Sequence, residues 1–394
     1  MKISDFVEVK NNRLSARYSR DKPPIGHFVE DYINERIDIN VDLMDLLQHK
    51  DELFSYNYIW HHYKFFISRM IPEMVIHSKK QDERIVRSHY DNKNDLFNWF
   101  LGPRMIYTSC YFNDHNETLE EAQDNKMNLI ARKMLLKPGE QLLDIGCGWG
   151  TLVAHLAKHY GVDATGVTIA KAGVDWGNRQ IEDYGLSPDQ ARIWHMDYRD
   201  IPRDKKYDKI TCLEMAEHVG IKYFKKFMKQ IYDMLEDEGL FYMQIACLRE
   251  RDSLFQKKNQ EDLVWGLFMN EYIFSGADAS MPLNWDLKRI EKVGLEVHSI
   301  ENIGIHYSKT IHFWYDNWMR NKEKVLEKYG EKIFRIYSVF LSWSVLIARQ
   351  GSSTAYQIVC RKNLNSANRN RFIGATNLGE MEKRKAAKEE MVMA

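Results

Sequence analysis

The run LLDIGCGWGTL, residues 142–152, limits what this chain can fold into more than any other stretch. An apolar strand runs out at Asp144, Gly146, Gly148 and Gly150 follow at alternate positions, and a helix opens at Thr151. Glycines spaced this closely let the backbone approach a ligand, and the helix start adds free N–H groups. A G-x-G-x-x-G spacing would suit the pyrophosphate of a dinucleotide. Here the spacing is G-x-G-x-G behind an acidic residue, which departs from that fingerprint. A plain strand–turn–helix that binds nothing is the alternative.

Short β-rich runs repeat from Gly139 onward, at QLLDI (141–145), VDATGVT (162–168), ARIWHM (191–196), YDKITCL (207–213), GLFYMQI (239–245), LEVHSIE (295–301) and AYQIVCR (355–361). Helical stretches separate them, which predicts parallel β-α units and an α/β, doubly wound, seven-stranded sheet. The last connection holds the apolar segment EKIFRIYSVFLSWSVLIARQG, read as a buried helix that Gly351 ends. Where a second strand commonly ends in an acid for the ribose hydroxyls, this chain offers Thr168. The third strand leads into Asp197 and Tyr198, a hydrogen-bonding and stacking pair for an adenine, or simply turn and surface residues.

A chain of 394 residues makes one large domain with an appendage, and 44% hydrophobic residues suffice for a sizeable core. Fifty-six basic and 56 acidic residues cancel, so no global field draws in nucleic acid or an anionic membrane, which leaves that to local patches. Cys110, Cys147, Cys212, Cys247 and Cys360 are scattered and include no CxxC pair, which argues against a disulfide framework and against a bound metal. The N-terminus lacks the apolar core of a signal peptide, so a cytoplasmic location is expected. In the aromatic segment 53–77, His61, His62, Lys64, Arg69 and Pro72 interrupt any membrane span. It reads as a helix packed on the main domain, with an interfacial helix on a lipid surface as the alternative. The tail beyond Asn363 reads as a solvated helix or as disordered.

The glycine loop resembles motif I of class I S-adenosylmethionine (SAM) methyltransferases. Together with HYDNKNDLFNWFLGPRMIYTSCYF (89–112), the segment 117–150, MDYRDIP (196–202) and EMAEHVG (214–220), it resembles the cyclopropane fatty acid synthase family, which includes the mycolic acid methyltransferases. FLGPRMIYTS, DLVWGLFMNEYIFSGADAS and RQGSSTAYQIVCRKNLNS are most similar to the fungal sphingolipid 9-methyltransferases within it. The resemblance implies a class I, Rossmann-like methyltransferase domain over residues 81–363, with an N-terminal helical extension (1–80), an inserted lid at about 248–290 and a polar tail (364–394). It implies SAM contacts from Tyr107, Thr108, Gly146, Gly148, Thr168, Ile169 and Tyr198, beside the loop residues Asp144 and Gly150 and the strand-end Asp197. A glutamine that the family carries shortly after Thr168 is Gly173 here.

The implied chemistry is methylation of a carbon–carbon double bond in a lipid presented at a membrane surface. Methyl transfer onto an alkene leaves a carbocation that must lose a proton, so the site needs a dry pocket, aromatic faces and one placed base. Aromatic candidates are Tyr107, Tyr111, Phe112, Trp265, Phe268, Tyr272, Phe274, Tyr307, Phe313, Trp314 and Tyr315, most of which read equally as core. The family holds a bicarbonate as base, and the resemblance places its ligands at Ser109, Glu217, Gln244 and Tyr307. Glu217 and Tyr307 match the family, whereas Ser109 replaces a cysteine and Gln244 a histidine. A changed base site fits a methyl-branched product better than a ring, because base position decides which proton leaves. Glu217 can alternatively bind substrate or cap a helix, and neighbouring His218 reads as structural. Two other readings stay open: a small-amine N-methyltransferase of the same fold, and a SAM-binding lipid sensor without catalysis.

Overall fold

The computed structural model describes residues 1–72, 93–250, 257–274 and 281–373. The far end of the tail, the last residues of the aromatic segment and two stretches of the expected lid lie outside the described residues.

Before the sheet, strands β1 (Val7–Val9) and β2 (Ile37–Ile39) form a small antiparallel pair. Around it lie helices α1 (Asn12–Tyr18), α2 (Ile25–Ile33), α3 (Leu43–Gln48), α4 (Lys50–Leu53) and α5 (Trp60–Phe65). Two further helices, α6 (Asn94–Leu101) and α7 (Leu119–Lys133), lead into the sheet. The start of α7 is fixed by a capping box, in which Thr118 and Glu121 satisfy each other's backbone N–H groups.

The seven expected strands all form, as β3 (Gln141–Ile145), β4 (Asp163–Thr168), β5 (Ala191–His195), β6 (Tyr207–Leu213), β7 (Leu235–Leu248), β8 (Leu295–Asn302) and β9 (Ser353–Lys362). Their spatial order is β5-β4-β3-β6-β7-β9-β8. The first five are parallel, as expected, but β9 runs antiparallel to both β7 and β8, so the sheet is mixed. Periodicity reports a strand's existence and burial; direction depends on where the long connection delivers the chain, and here β9 slots between β7 and β8 from the opposite end.

The remaining helices are α8 (Thr151–Tyr160), α9 (Lys171–Asp183), α10 (Phe224–Met234), α11 (Lys257–Tyr272), α12 (Leu283–Lys292), α13 (Gly304–Arg320) and α14 (Lys322–Arg349). Residues 334–348 of α14 are buried throughout, as the apolar segment predicts, and the helix kinks at Gly330. One aromatic core unites the N-terminal region with the rest: Phe28, Ile33 and Leu47 cluster with Phe97, Phe100, Trp314, Trp318 and Trp343. Arg335 of α14 reinforces this by donating to the Tyr32 and Ile37 carbonyls at 3.0 and 2.8 Å and to Asp38 at 2.5 Å. Buried Lys50 and Glu261 pair at 3.2 Å, and Glu261 also accepts from Trp343 Nε1, which holds α11 against both α14 and the extension.

All five cysteines are free. Among the described residues, no helix is long and apolar enough to cross a membrane.

Candidate active site

The carboxyl ends of β3, β4, β5 and β6 converge on a cleft of about 240 Å³, the position where open α/β sheets bind ligands. Its walls include Tyr107 and Thr108, Asp144, Gly146 and Gly148, Thr168 and Ile169, and Asp197 and Tyr198. Nine of the ten residues expected at the cofactor therefore meet in one place; the tenth, Gly150, lies just behind as the left-handed N-cap of α8.

The glycines have separate jobs. Gly148 sits at φ 55° with nothing within 4 Å of where a side chain would begin, so the loop there stays open to a ligand. Gly146, at φ 76°, is packed so closely that a Cβ would fall 2.3 Å from Met215. Gly173 explains the absent glutamine: a Cβ there would lie 2.3 Å from the Gly148 carbonyl oxygen. One turn on, a Cβ at Gly177 would meet the Trp149 carbonyl at 2.9 Å. Helix α9 thus rests directly on the glycine loop through two bare positions.

Asp144 is buried and accepts a 2.7 Å hydrogen bond from Thr211 Oγ1. Burial pushes its carboxyl up to about 7, against the pull of that bond and of Lys126. Lys126 is itself buried in the cleft wall and donates to Thr108 Oγ1 at 2.5 Å; burial lowers its pKa. The Asp197 carboxylate caps the turn after β5 and pairs with Arg199 at 2.6 Å, while Tyr198 keeps its ring on the cleft wall, edge-on to Phe227. Thr168 Oγ1 accepts from Ala170 N at 3.3 Å.

The four residues expected at the base are arranged differently. None of Ser109, Glu217, Gln244 and Tyr307 belongs to the cleft wall; Glu214, Met215 and His218 do. Ser109 and Gln244 are fully buried. The Gln244 amide donates to Glu214 Oε1 at 2.7 Å and to the Ser109 carbonyl at 3.2 Å, and its oxygen accepts from Gln357 at 3.3 Å. Ser109 gives its N–H to the same Glu214 oxygen at 2.8 Å and its hydroxyl to the Cys110 carbonyl. Glu217 is buried; Oε1 accepts from Ala246 N at 2.5 Å, and Oε2 has no partner. Its carboxyl is pushed up to about 8, by burial first and then by the charge of Glu214. The Tyr307 hydroxyl is held well above its ordinary value, by burial and by the fields of Glu214 and Glu217, which sets it beside that pair.

This donor set does not fit a bicarbonate. The Ser109 N–H and the Gln244 amide already serve a protein carboxylate, which leaves only the Glu217 carboxyl and the Tyr307 hydroxyl to meet such an anion.

Of the expected aromatics, Tyr107 and Phe274 line the cleft. Phe268, Trp314 and Tyr315 are core, and Tyr111 stacks on His306, whose Nδ1 accepts from Phe112 N. Ile273 and Phe274 follow directly on α11 and complete the cleft wall.

A family model described as mycolic acid cyclopropane synthetase matches residues 77–358. A sphingolipid C9-methyltransferase of Komagataella phaffii is 46% identical over 381 residues, covering 94% of this chain and 77% of that protein. Its namesake in Candida albicans is 46% identical, covering 93% and 73%. The crystal structure of a mycolic acid cyclopropane synthase, CmaA1, in complex with SAH and CTAB superposes with a TM-score of 0.67 at 24% identity, over 71% of this chain and 98% of that one.

Proposed function

The chain belongs to the mycolic acid cyclopropane synthetase family and is a SAM-dependent methyltransferase of lipid carbon; from that premise we propose that it methylates a double bond in the sphingoid base of a sphingolipid. The observation that carries this reading is the cleft itself, mostly apolar in its lining yet with the Glu214 carboxylate in its wall and buried Glu217 three residues on, just after β6. An alkene acceptor needs that combination: a dry pocket for the chain, and an acid–base group where the proton leaves.

SAM supplies an electrophilic methyl group on a sulfonium. When it is bound, Gly146 and Gly148 would bring backbone close to it, Tyr107 and Thr108 would close one side, and Thr168, Ile169, Asp197 and Tyr198 would hold the nucleoside. Asp144 offers a negative charge to the donor's cationic groups. The rings of Tyr107 and Phe274 face the cleft, where they stabilise positive charge and exclude water. Ser109, Glu217, Gln244 and Tyr307, the four positions that the resemblance assigns to the base, lie outside the cleft wall, and Glu214 stands in it. Their departure from the family pattern at Ser109 and Gln244 favours a methyl-branched product over a ring.

The acceptor is drawn from a membrane surface, and the region around α5 is suited to docking there. Trp60, Tyr63, Phe66, Ile67 and Ile71 are exposed, Trp60 to 80% and Ile67 to 67%. Lys64 and Arg69 lie among them, and residues 60–72 contain no acid, which complements an anionic lipid face. His61 of the same helix meets Glu271 of α11 at 2.9 Å, two residues before the cleft-lining Ile273. The docking segment and the cleft wall are thus neighbours.

The test offers purified protein and SAM an unsaturated sphingolipid, an unsaturated phospholipid and a panel of small amines. Methylation of the sphingolipid ahead of the others is expected; turnover of amines alone would replace this reading with an N-methyltransferase, and turnover of nothing would favour a lipid sensor.

A further inference from the structure

We propose that Glu214 is the general base, a carboxylate built into the chain at the place where the family holds a bicarbonate. This deepens the alkene-methylation reading and rests on it.

Glu214 follows the last residue of β6 with φ 49°, a left-handed conformation that strains a residue carrying a side chain. Three interactions hold it there. Its own N–H donates to the Gln244 carbonyl at 2.7 Å, and its Oε1 accepts from Ser109 N at 2.8 Å and from Gln244 Nε2 at 2.7 Å. These two donors come from two of the four positions that the resemblance assigns to the bicarbonate. Glu214 has therefore taken over their hydrogen bonds.

The Gln244 amide cannot easily turn round. Its oxygen accepts from Gln357 Nε2 at 3.3 Å and from the Tyr242 hydroxyl at 3.4 Å, and Gln357 is in turn fixed by Lys133 at 2.6 Å. The amide N–H groups consequently face Glu214 and the Ser109 carbonyl. Replacement of the family's histidine by a glutamine makes sense here, because an amide bonds a neighbouring carboxylate and carbonyl at once without itself titrating.

Both fixed donors fall on Oε1. Among the described residues Oε2 accepts no hydrogen bond, and Glu214 lies in the cleft wall while Glu217 does not. The two carboxyls three residues apart repel each other in a buried site, so they share their protons unequally. Glu214 has two N–H donors and the nearby Lys126 ammonium to hold its charge. Glu217 has only backbone N–H donors and feels the charges of Glu214 and Asp286 against it, so it holds its proton more tightly. Burial raises both carboxyls, but the donors on Glu214 oppose it more strongly, so Glu214 on the cleft side is the first of the pair to ionise.

The balance of the step is simple. The π pair of the alkene forms the new carbon–methyl bond, and the sulfonium leaves as a neutral thioether with the electrons of the broken sulfur–methyl bond. The carbon left positive is neutralised when an adjacent C–H bond gives its electron pair to a new double bond, and the proton passes to Glu214 Oε2. Release of that proton to solvent resets the site.

The test uses the full chain in buffer stripped of carbon dioxide. The wild type should turn over at the same rate with and without added bicarbonate. Glu214→Gln keeps the shape and should cut kcat by about 100-fold or more, with SAM affinity within a few-fold of wild type. Glu214→Gly suits the left-handed backbone and deletes the carboxylate, so it should be similarly inactive yet regain turnover on addition of bicarbonate or formate. Wild type that depends on bicarbonate, or Glu214→Gln with wild-type kcat, would overturn the proposal. If wild type itself methylates no lipid alkene, the functional reading fails and not only the choice of base.

Discussion

Substituting Gly173 by alanine adds one methyl group at the closest approach of α9 to the glycine loop. Its Cβ would stand 2.3 Å from the Gly148 carbonyl oxygen and 3.1 Å from the carbonyl carbon, both backbone atoms that no rotamer change can move aside. Ordinary contact needs roughly 1 Å more, so either α9 lifts or the loop is pushed into the cleft. Overpacking of this kind costs about 1–3 kcal/mol. If the loop yields, the cost falls on cofactor binding, and SAM affinity drops roughly 5- to 150-fold. Titration calorimetry with SAM measures that directly, and thermal melting reports how much of the cost falls on the fold instead. Gly266→Ala is the matched control: it lies in α11 with nothing within 4 Å, so the extra methyl should leave SAM binding unchanged and stabilise the helix by up to about 1 kcal/mol. A Gly173→Ala protein with wild-type affinity and melting temperature would refute the argument that this contact shapes the loop.

Three further predictions follow from the same geometry. Asp144 titrates near 4 when unfolded but at about 7 in the buried site, so the free protein loses stability from this group as pH rises from about 4 through 7. SAM favours the ionised form, so its affinity should rise roughly tenfold per pH unit up to about pH 7 and then level off; Asp144→Asn should flatten that profile, and a wild-type affinity constant from pH 5.5 to 7.5 would contradict it. Trp60→Glu with Ile67→Glu should reduce sedimentation with anionic vesicles about tenfold or more while Ile373→Glu does not, and equal binding by all three proteins would remove α5 from the docking account. Arg335→Ala should lower unfolding free energy by about 2–4 kcal/mol in urea, because it takes the Arg335 donor from the Ile37 carbonyl and from Asp38 and one of several donors from the Tyr32 carbonyl; a change below about 0.5 kcal/mol would mean the extension is not anchored there.

The sheet was readable because each strand is a bounded apolar run, and the cofactor side of the cleft because its residues sit at strand ends, where an α/β topology must bring them together. The reversed β9 was not readable, since alternation and burial look the same in either direction. Nor was the small β1–β2 pair, whose strands of three residues fall below any periodic signal. Lys126 was missed because a lysine on an amphipathic helix reads as solvated, and only the tertiary fold reveals that its ammonium is buried beside Thr108. At EMAEHVG the choice of Glu217 rested on a motif. Glu214 carried its own signal, an acid immediately after the apolar run of β6, the same strand-end logic that picked out Asp144 and Asp197. His218, read as structural, is exposed at the cleft wall and edge-on to Phe274.

The most direct test of the central claim follows the methyl group's own hydrogens. Purified protein is incubated with SAM carrying a deuterated methyl group and an unsaturated sphingolipid, and the sphingoid base is analysed by mass spectrometry. Transfer of the methyl with all three deuteriums onto a chain carbon is the predicted result, since it reports a branch formed by loss of a chain proton. Retention of two deuteriums would contradict the branching account by revealing a ring closed through the methyl carbon, and label confined to nitrogen compounds would contradict lipid methylation altogether.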